Sequence, residues 1–180
     1  MPLTILKDVI RSCNFSDTAK TSAELRESKN RTKPNTLRRV TIEILPFGSA
    51  WFCVDSKGSW SSYLKDTQGI HKRCDYVIVS HVNNITYIVF VELKSEDVSN
   101  DDIRDKFKAT ECFIDYCESI CSRLFSNICL KNVSKRFVVF AKGAEQKLPT
   151  RPEPILHDQS DRPKLIINPN RVKFKELIRQ

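Results

Sequence analysis

A chain of 180 residues with 40% hydrophobic and 29% charged side chains is long enough to bury a core and too balanced in composition to be disordered or fibrous. Its four glycines form no phosphate-cradling loop, neither GxGxxG nor GxxxxGKS/T, and no apolar run reaches the length of a membrane span. The net charge of +8 is uneven: residues 1–40 carry nine Lys/Arg against four acids, 41–130 nine against thirteen, and 131–180 twelve against five. An acidic middle between basic ends suits a cation-binding centre with a phosphate-gripping periphery, and equally a generic basic surface.

Seven cysteines without CxxC pairs, behind a start (Met-Pro-Leu-Thr-Ile-Leu-Lys-Asp) too soon charged for a secretion signal, point to reduced thiols and a cytoplasmic location. Cys117 and Cys121 fall on a predicted helix and read as core filling.

In chain order, Leu3, Ile5, Leu6, Val9 and Ile10 are spaced for a short helix over 3–12. The polar stretch 16–30 reads as a second helix through Glu24 and Glu27, capped by Ser16 or Ser22. Arg38–Leu45 alternates, with Val40, Ile42 and Ile44 on one face, and predicts a strand; Pro46–Ser49 is a turn and Ala50–Val54 a second strand. Residues 55–69 form a polar connection with a helical turn around 59–65.

Two β-branched runs then flank Asn83-Asn84, a hairpin signal. With these two as the turn, Val82 faces Ile85, Ile78 faces Val89 and Asp75 faces Glu92. Two acids opposite each other would have Cβ atoms roughly 5 Å apart, and Lys94, two residues past Glu92, shares their face. Such a pair is stable if one acid is protonated, if lysine neutralises part of the charge, or if a hard divalent cation lies between them. A plain surface hairpin with its acids paired to Lys94 and Arg73 fits the spacing as well.

Beyond the hairpin, Ser99-x-x-Asp102 resembles a capping box, and Asp97, Asp101, Asp102 and Asp105 favour a helix N-terminus. Ile103, Phe107, Phe113, Cys117, Ile120 and Leu124 predict the buried stripe of a helix ending near 125–127. Lys135–Ala141 is an apolar run that predicts a central strand. Residues 143–163 are a Pro-rich loop, Lys164–Ile167 an edge strand, and Arg171–Gln180 a basic helix. The predicted class is α/β (α+β), with core order α-β-β-β-α-β in a single domain whose core spans about 38–142.

Asp75, sixteen intervening residues, then Glu92-Leu93-Lys94 closing an apolar strand before a helix and a buried strand resembles the PD-(D/E)XK nuclease superfamily. The stretch from Lys72 to Ser95 resembles small bacterial members with a Cys-Asp-Tyr hairpin and a Glu-Leu-Lys end. The match covers roughly residues 50–142. It implies a restriction-endonuclease-like core, with a central mixed sheet flanked by helices, and a metal-dependent nuclease. The resemblance implies DNA ahead of RNA as the expected substrate, and suggests restriction or antiphage defence as the setting. It further implies Mg²⁺ or Mn²⁺ held by Asp75, Glu92 and the Leu93 carbonyl, with Lys94 orienting or activating water. Glu24 is the candidate for an additional first-helix ligand, ahead of Glu27 and Glu43. Lys106 stands where many members carry a helix Gln or Lys. Cys74 replaces the usual proline before the first acid, a change that leaves the carboxylate in place.

Arg38, Arg39, Lys72, Arg73 and Lys106 are the candidate nucleic-acid contacts, each also readable as a solubilising charge. Trp51, Trp60 and Tyr63 are candidates for base stacking, with packing the alternative for Trp51. His71, Cys74 and His81 lack two further ligands at zinc spacing. The expected partners are nucleic acid and either a second copy of the chain or a defence-system protein, with no membrane. The alternative reading is a catalytically silent nucleic-acid-binding or interaction subunit of a larger complex.

Overall fold

The computed structural model describes residues 10, 14–16, 21–26, 39–54, 65, 67, 69–95, 100–124, 132–142 and 157–179. The predicted helix over 3–12, the turn near 59–65 and the capping residue Ser99 lie largely or wholly outside this set. So do Arg38, Glu27, Trp60 and Tyr63.

The elements are β1 (Asn14–Phe15), β2 (Ala23–Arg26), β3 (Arg39–Glu43), β4 (Ala50–Cys53), β5 (Tyr76–Val82), β6 (Ile85–Lys94), α1 (Asn100–Leu124), β7 (Val133–Ala141), β8 (Lys164–Ile167), β9 (Arg171–Lys173) and α2 (Phe174–Ile178). They build two mixed sheets, one of six strands in the order β1-β4-β5-β6-β7-β8 and one of three in the order β2-β3-β9. The class is thus mixed α/β, as the sequence predicts. Among the described residues no helix is long and apolar enough to cross a membrane.

The β5–β6 hairpin has the predicted register, Val82 to Ile85 and Ile78 to Val89. Asn83 and Asn84 both take positive φ, 49° and 61°, as a two-residue turn matched to strand twist requires, and asparagine tolerates this region. β6 then runs parallel to β7. Parallel neighbours need a long crossover, and α1 supplies it. β8 pairs with β7 at the edge of the sheet, as expected for Lys164–Ile167.

Alternation along the strands gives the large sheet two apolar faces. Val77, Val79, Ile88, Phe90, Phe137 and Val139 meet Ile103, Phe107, Ile114 and Cys117 of α1. Phe90 stacks on Phe137 with centroids 4.9 Å apart, and Phe107 meets Phe137 edge-on at 5.2 Å. On the opposite face Ile78, Val89, Val91, Val138 and Phe140 pack against Ala23, Leu25, Val40 and Ile42 of the small sheet and Phe174 and Leu177 of α2. The result is three layers: helix, six-stranded sheet, then the small sheet with α2.

The structure corrects four predicted elements. The segment at 23–26 is strand β2, not helix; Ala23 and Leu25 are buried and pair its backbone with β3. β3 belongs to the small sheet and so is not the first strand of the central one. The chain turns at Ile44, whose φ is 56°, so Ile44 is 65% exposed and Leu45 is buried in its place. The tail begins as strand β9 before its short helix.

A helix of one turn cannot satisfy its own carbonyls, and three side chains donate to those of α2: Lys164 Nζ to Glu176 (2.7 Å), His157 Nε2 to Leu177 (2.7 Å) and Arg136 Nε to Ile178 (3.3 Å). In α1 the buried positions are Ile103, Phe107, Thr110, Ile114, Cys117 and Cys121, while Leu124 is exposed. The alternating four- and three-residue steps describe one helical face. Phe113, predicted on that stripe, packs at its flank.

Candidate active site

Strand parity places the candidate residues. Glu92 and Lys94 continue the β6 face of Ile88 and Phe90, which looks toward α1. Asp75 continues the β5 face of Val77 and Val79, which looks the same way. The first turns of α1 close over this corner.

The predicted backbone pairing of Asp75 with Glu92 is not made. The ladder ends one step earlier, at Tyr76 with Val91. Beyond that point the side chain of Asp75 takes over, and its Oδ2 accepts the Leu93 N–H at 2.6 Å. The carbonyl of Asp75 accepts from Val54 N (3.0 Å), which fixes the residue from the β4 side. The Cys74 N–H goes to Thr110 Oγ1 of α1 at 2.9 Å, and that hydroxyl donates to the Lys106 carbonyl at 2.8 Å.

Glu92 is the centre of the cluster. Its side chain is 1% exposed. Oε1 receives Lys94 Nζ at 2.7 Å and Lys106 Nζ at 2.5 Å. Oε2 is buried and has no hydrogen-bond partner among the described residues. Burial alone would lower the Lys106 ammonium, but Glu92, with a smaller contribution from Asp75, outweighs it and holds the group above the ordinary lysine range. Lys106 is a fixed positive charge at neutral pH.

Around this centre Lys72 Nζ bridges Asp102 and Asp105, 3.2 Å from each, and Asp102 also lies 4.0 Å from Lys94. Burial opposes ionisation of Asp102, but Lys72, Lys106 and Lys94 prevail and lower its pKa. Burial pushes the Cys74 thiol far up, and Sγ donates to the Tyr76 carbonyl at 3.3 Å. Cys74 is therefore inert packing next to the site.

Asp75, Glu92, Lys94 and Lys106 are thus brought together, and the backbone of Leu93 with them. Glu24 is not on a helix. It projects from the outer face of β2 and pairs with Arg26 and, at 3.7 Å, with Arg39. Glu43 pairs with Arg171 at 2.9 Å. Arg73 is buried, and its Nη1 donates to the Val54 carbonyl at 3.5 Å. Lys72 is held by the two aspartates rather than standing as a separate surface cation. Arg39 is on the surface. Trp51 is buried in the core, the packing role allowed for it. His81 Nδ1 lies 3.3 Å from Thr86 Oγ1. Among the described residues no group of three or more His, Cys, Asp or Glu side chains could hold a metal.

The only sequence signal for Thr110 is a hydroxyl interrupting an otherwise apolar stripe, and the capping-box spacing of Asp102 marks a helix start without indicating its contact with Lys72.

Comparison of the chain with protein-family models, with curated proteins and with solved structures finds no match.

Proposed function

We propose that the chain is a metal-dependent phosphodiesterase, a nuclease of the PD-(D/E)XK type acting on nucleic acid, with DNA the first substrate to test. The observation that carries this reading is Glu92. A carboxylate oxygen buried without a partner costs free energy, and Asp75, whose Oδ2 holds the Leu93 N–H, supplies a second carboxylate on the same face of the hairpin as Glu92. That combination suits a cation. The β4-β5-β6-α1-β7 order, with β6 and β7 parallel around α1, supports the restriction-endonuclease-like core that the resemblance implies.

The residues present fit a hard divalent ion, Mg²⁺ or Mn²⁺, held by Asp75, Glu92 and the Leu93 carbonyl with water or substrate oxygens completing the shell. The Leu93 carbonyl qualifies by strand geometry. The N–H and C=O of one strand residue point to the same side, and its N–H points to Asp75. When bound, such an ion polarises a phosphate oxygen and makes its water a better nucleophile.

The chain's own groups do the rest. The Leu93 N–H orients the Asp75 carboxylate. Lys94, 16% exposed at the rim, reaches a phosphate oxygen or the attacking water as a compact ammonium. Lys106 holds Glu92 from the helix side and adds a second positive charge toward the scissile phosphate. The exposed Arg39 and the basic residues of β9 and α2 offer sequence-independent contacts to a phosphate backbone.

The test is cleavage of plasmid, single-stranded DNA and RNA with Mg²⁺, Mn²⁺ or EDTA, comparing wild type with Glu92→Gln. Cleavage that requires metal and is lost in the variant is the expected result. Absence of both cleavage and metal binding would overturn the catalytic reading in favour of a binding subunit.

A further inference from the structure

The β5–β6 register has a missing rung. Residues of β6 whose N–H and C=O face β5 are Ile85, Tyr87, Val89 and Val91, opposite Val82, Ser80, Ile78 and Tyr76. By the same parity the next rung is Leu93 with Cys74. In a regular antiparallel pair these two would exchange both hydrogen bonds. Here neither the Leu93 N–H nor the Cys74 N–H goes to its ladder partner. Leu93 donates to Asp75 Oδ2 and Cys74 donates to Thr110 Oγ1.

Thr110 is wholly buried and is held from below, because its hydroxyl proton goes to the Lys106 carbonyl. Its oxygen is thereby oriented as an acceptor for Cys74. One hydroxyl therefore ties together the residue before Asp75 and the helix turn that carries Lys106. We propose that Thr110 is a positioning residue of the candidate metal site. By drawing the Cys74 N–H off the ladder, it leaves the Leu93 N–H for the Asp75 carboxylate and keeps the Leu93 carbonyl from being consumed by Cys74. This inference rests on the metal-site reading above.

Without the hydroxyl, the nearest acceptor in register for the Cys74 N–H is the Leu93 carbonyl. The rung closes, the Leu93 N–H turns to the Cys74 carbonyl, and Asp75 loses the Leu93 N–H as an orienting donor. Groups that orient metal ligands through hydrogen bonds typically contribute about 10- to 100-fold to metal affinity.

The experiment is calorimetric titration of Mn²⁺ into wild type, Thr110→Val, Thr110→Ala and Thr110→Ser, each checked for a cooperative thermal transition. Wild type and Thr110→Ser, which keeps the hydroxyl, should bind alike. Thr110→Val, which keeps the shape, should bind about 10- to 100-fold more weakly. If Thr110→Val does not fold, the comparison of Thr110→Ser with Thr110→Ala decides in the same way. A folded Thr110→Val or Thr110→Ala that binds Mn²⁺ like wild type would overturn the positioning role and leave the metal reading standing. Wild type that binds no Mn²⁺ would overturn both.

Discussion

Glu92 and Glu24 are both met by two cations, yet they sit in opposite settings. Glu92 is 1% exposed, between the large sheet and α1, with Lys94 and Lys106 on one oxygen and, among the described residues, no hydrogen bond to the other. Glu24 is 37% exposed on the outer face of the small sheet, with Arg26 and Arg39, themselves about 70% exposed, on its two oxygens. At the surface, water screens each charge and the pairing is worth little. In the interior the charges are costly to desolvate, and the arrangement persists only where geometry compensates or function requires it. Both clusters share one pairing pattern; what sets Glu92 apart is its burial and an oxygen without a hydrogen-bond partner among the described residues.

The largest effect should come from removing the buried carboxylate. Glu92→Ala removes the carboxylate that Lys94 and Lys106 share and leaves Asp102, 4.0 Å from Lys94, as a remaining anion of the cluster. Breaking a buried pair in this way costs about 3–5 kcal/mol, and the value here should fall near 3 because both lysines retain a path to water. Urea denaturation measures it, and a loss below about 1 kcal/mol would put Glu92 in the same class as Glu24.

Next comes the strain in the small-sheet region. Ile44 is a β-branched residue at φ 56°, a conformation that costs an L-residue about 1–2 kcal/mol and that asparagine tolerates. Ile44 is largely exposed, so little burial is lost on replacement. Ile44→Asn should stabilise the chain by about 1 kcal/mol, seen as a higher denaturation midpoint with unchanged slope. A lower midpoint would mean the isoleucine makes contacts that outweigh its strain.

Glu24→Ala should change stability by less than about 1 kcal/mol, with the difference shrinking further in high salt. It should leave Mn²⁺ affinity unchanged, because Glu24 is engaged on the far face of its strand. A marked loss of affinity would restore Glu24 to the ligand set.

What the sequence revealed follows from where information is local. The β5–β6 hairpin was legible because β-branched runs and the Asn83-Asn84 turn fix a register within twenty residues. That register placed Asp75, Glu92 and Lys94 on one face. Its last rung failed because the partner that ends the ladder, Thr110, lies on another element. Alternation in β3 revealed a strand but not its sheet, since two sheets share one apolar core. β2 was hidden because only Ala23 and Leu25 face inward in a polar stretch, a pattern too short to outweigh helix-forming composition. Hydrophobicity alone points to Phe113 and Leu124 in the second half of α1, while Thr110 and Cys121 fill the actual face.

The most direct test is a crystal of the chain grown or soaked with Mn²⁺ and measured for anomalous scattering. The expected result is a peak between the carboxylates of Asp75 and Glu92, roughly 2.0–2.6 Å from their oxygens, with Glu92 Oε2 among the ligands. A peak elsewhere, or none while Lys94 and Lys106 remain on Glu92, would contradict a metal-dependent active site at this corner of the fold.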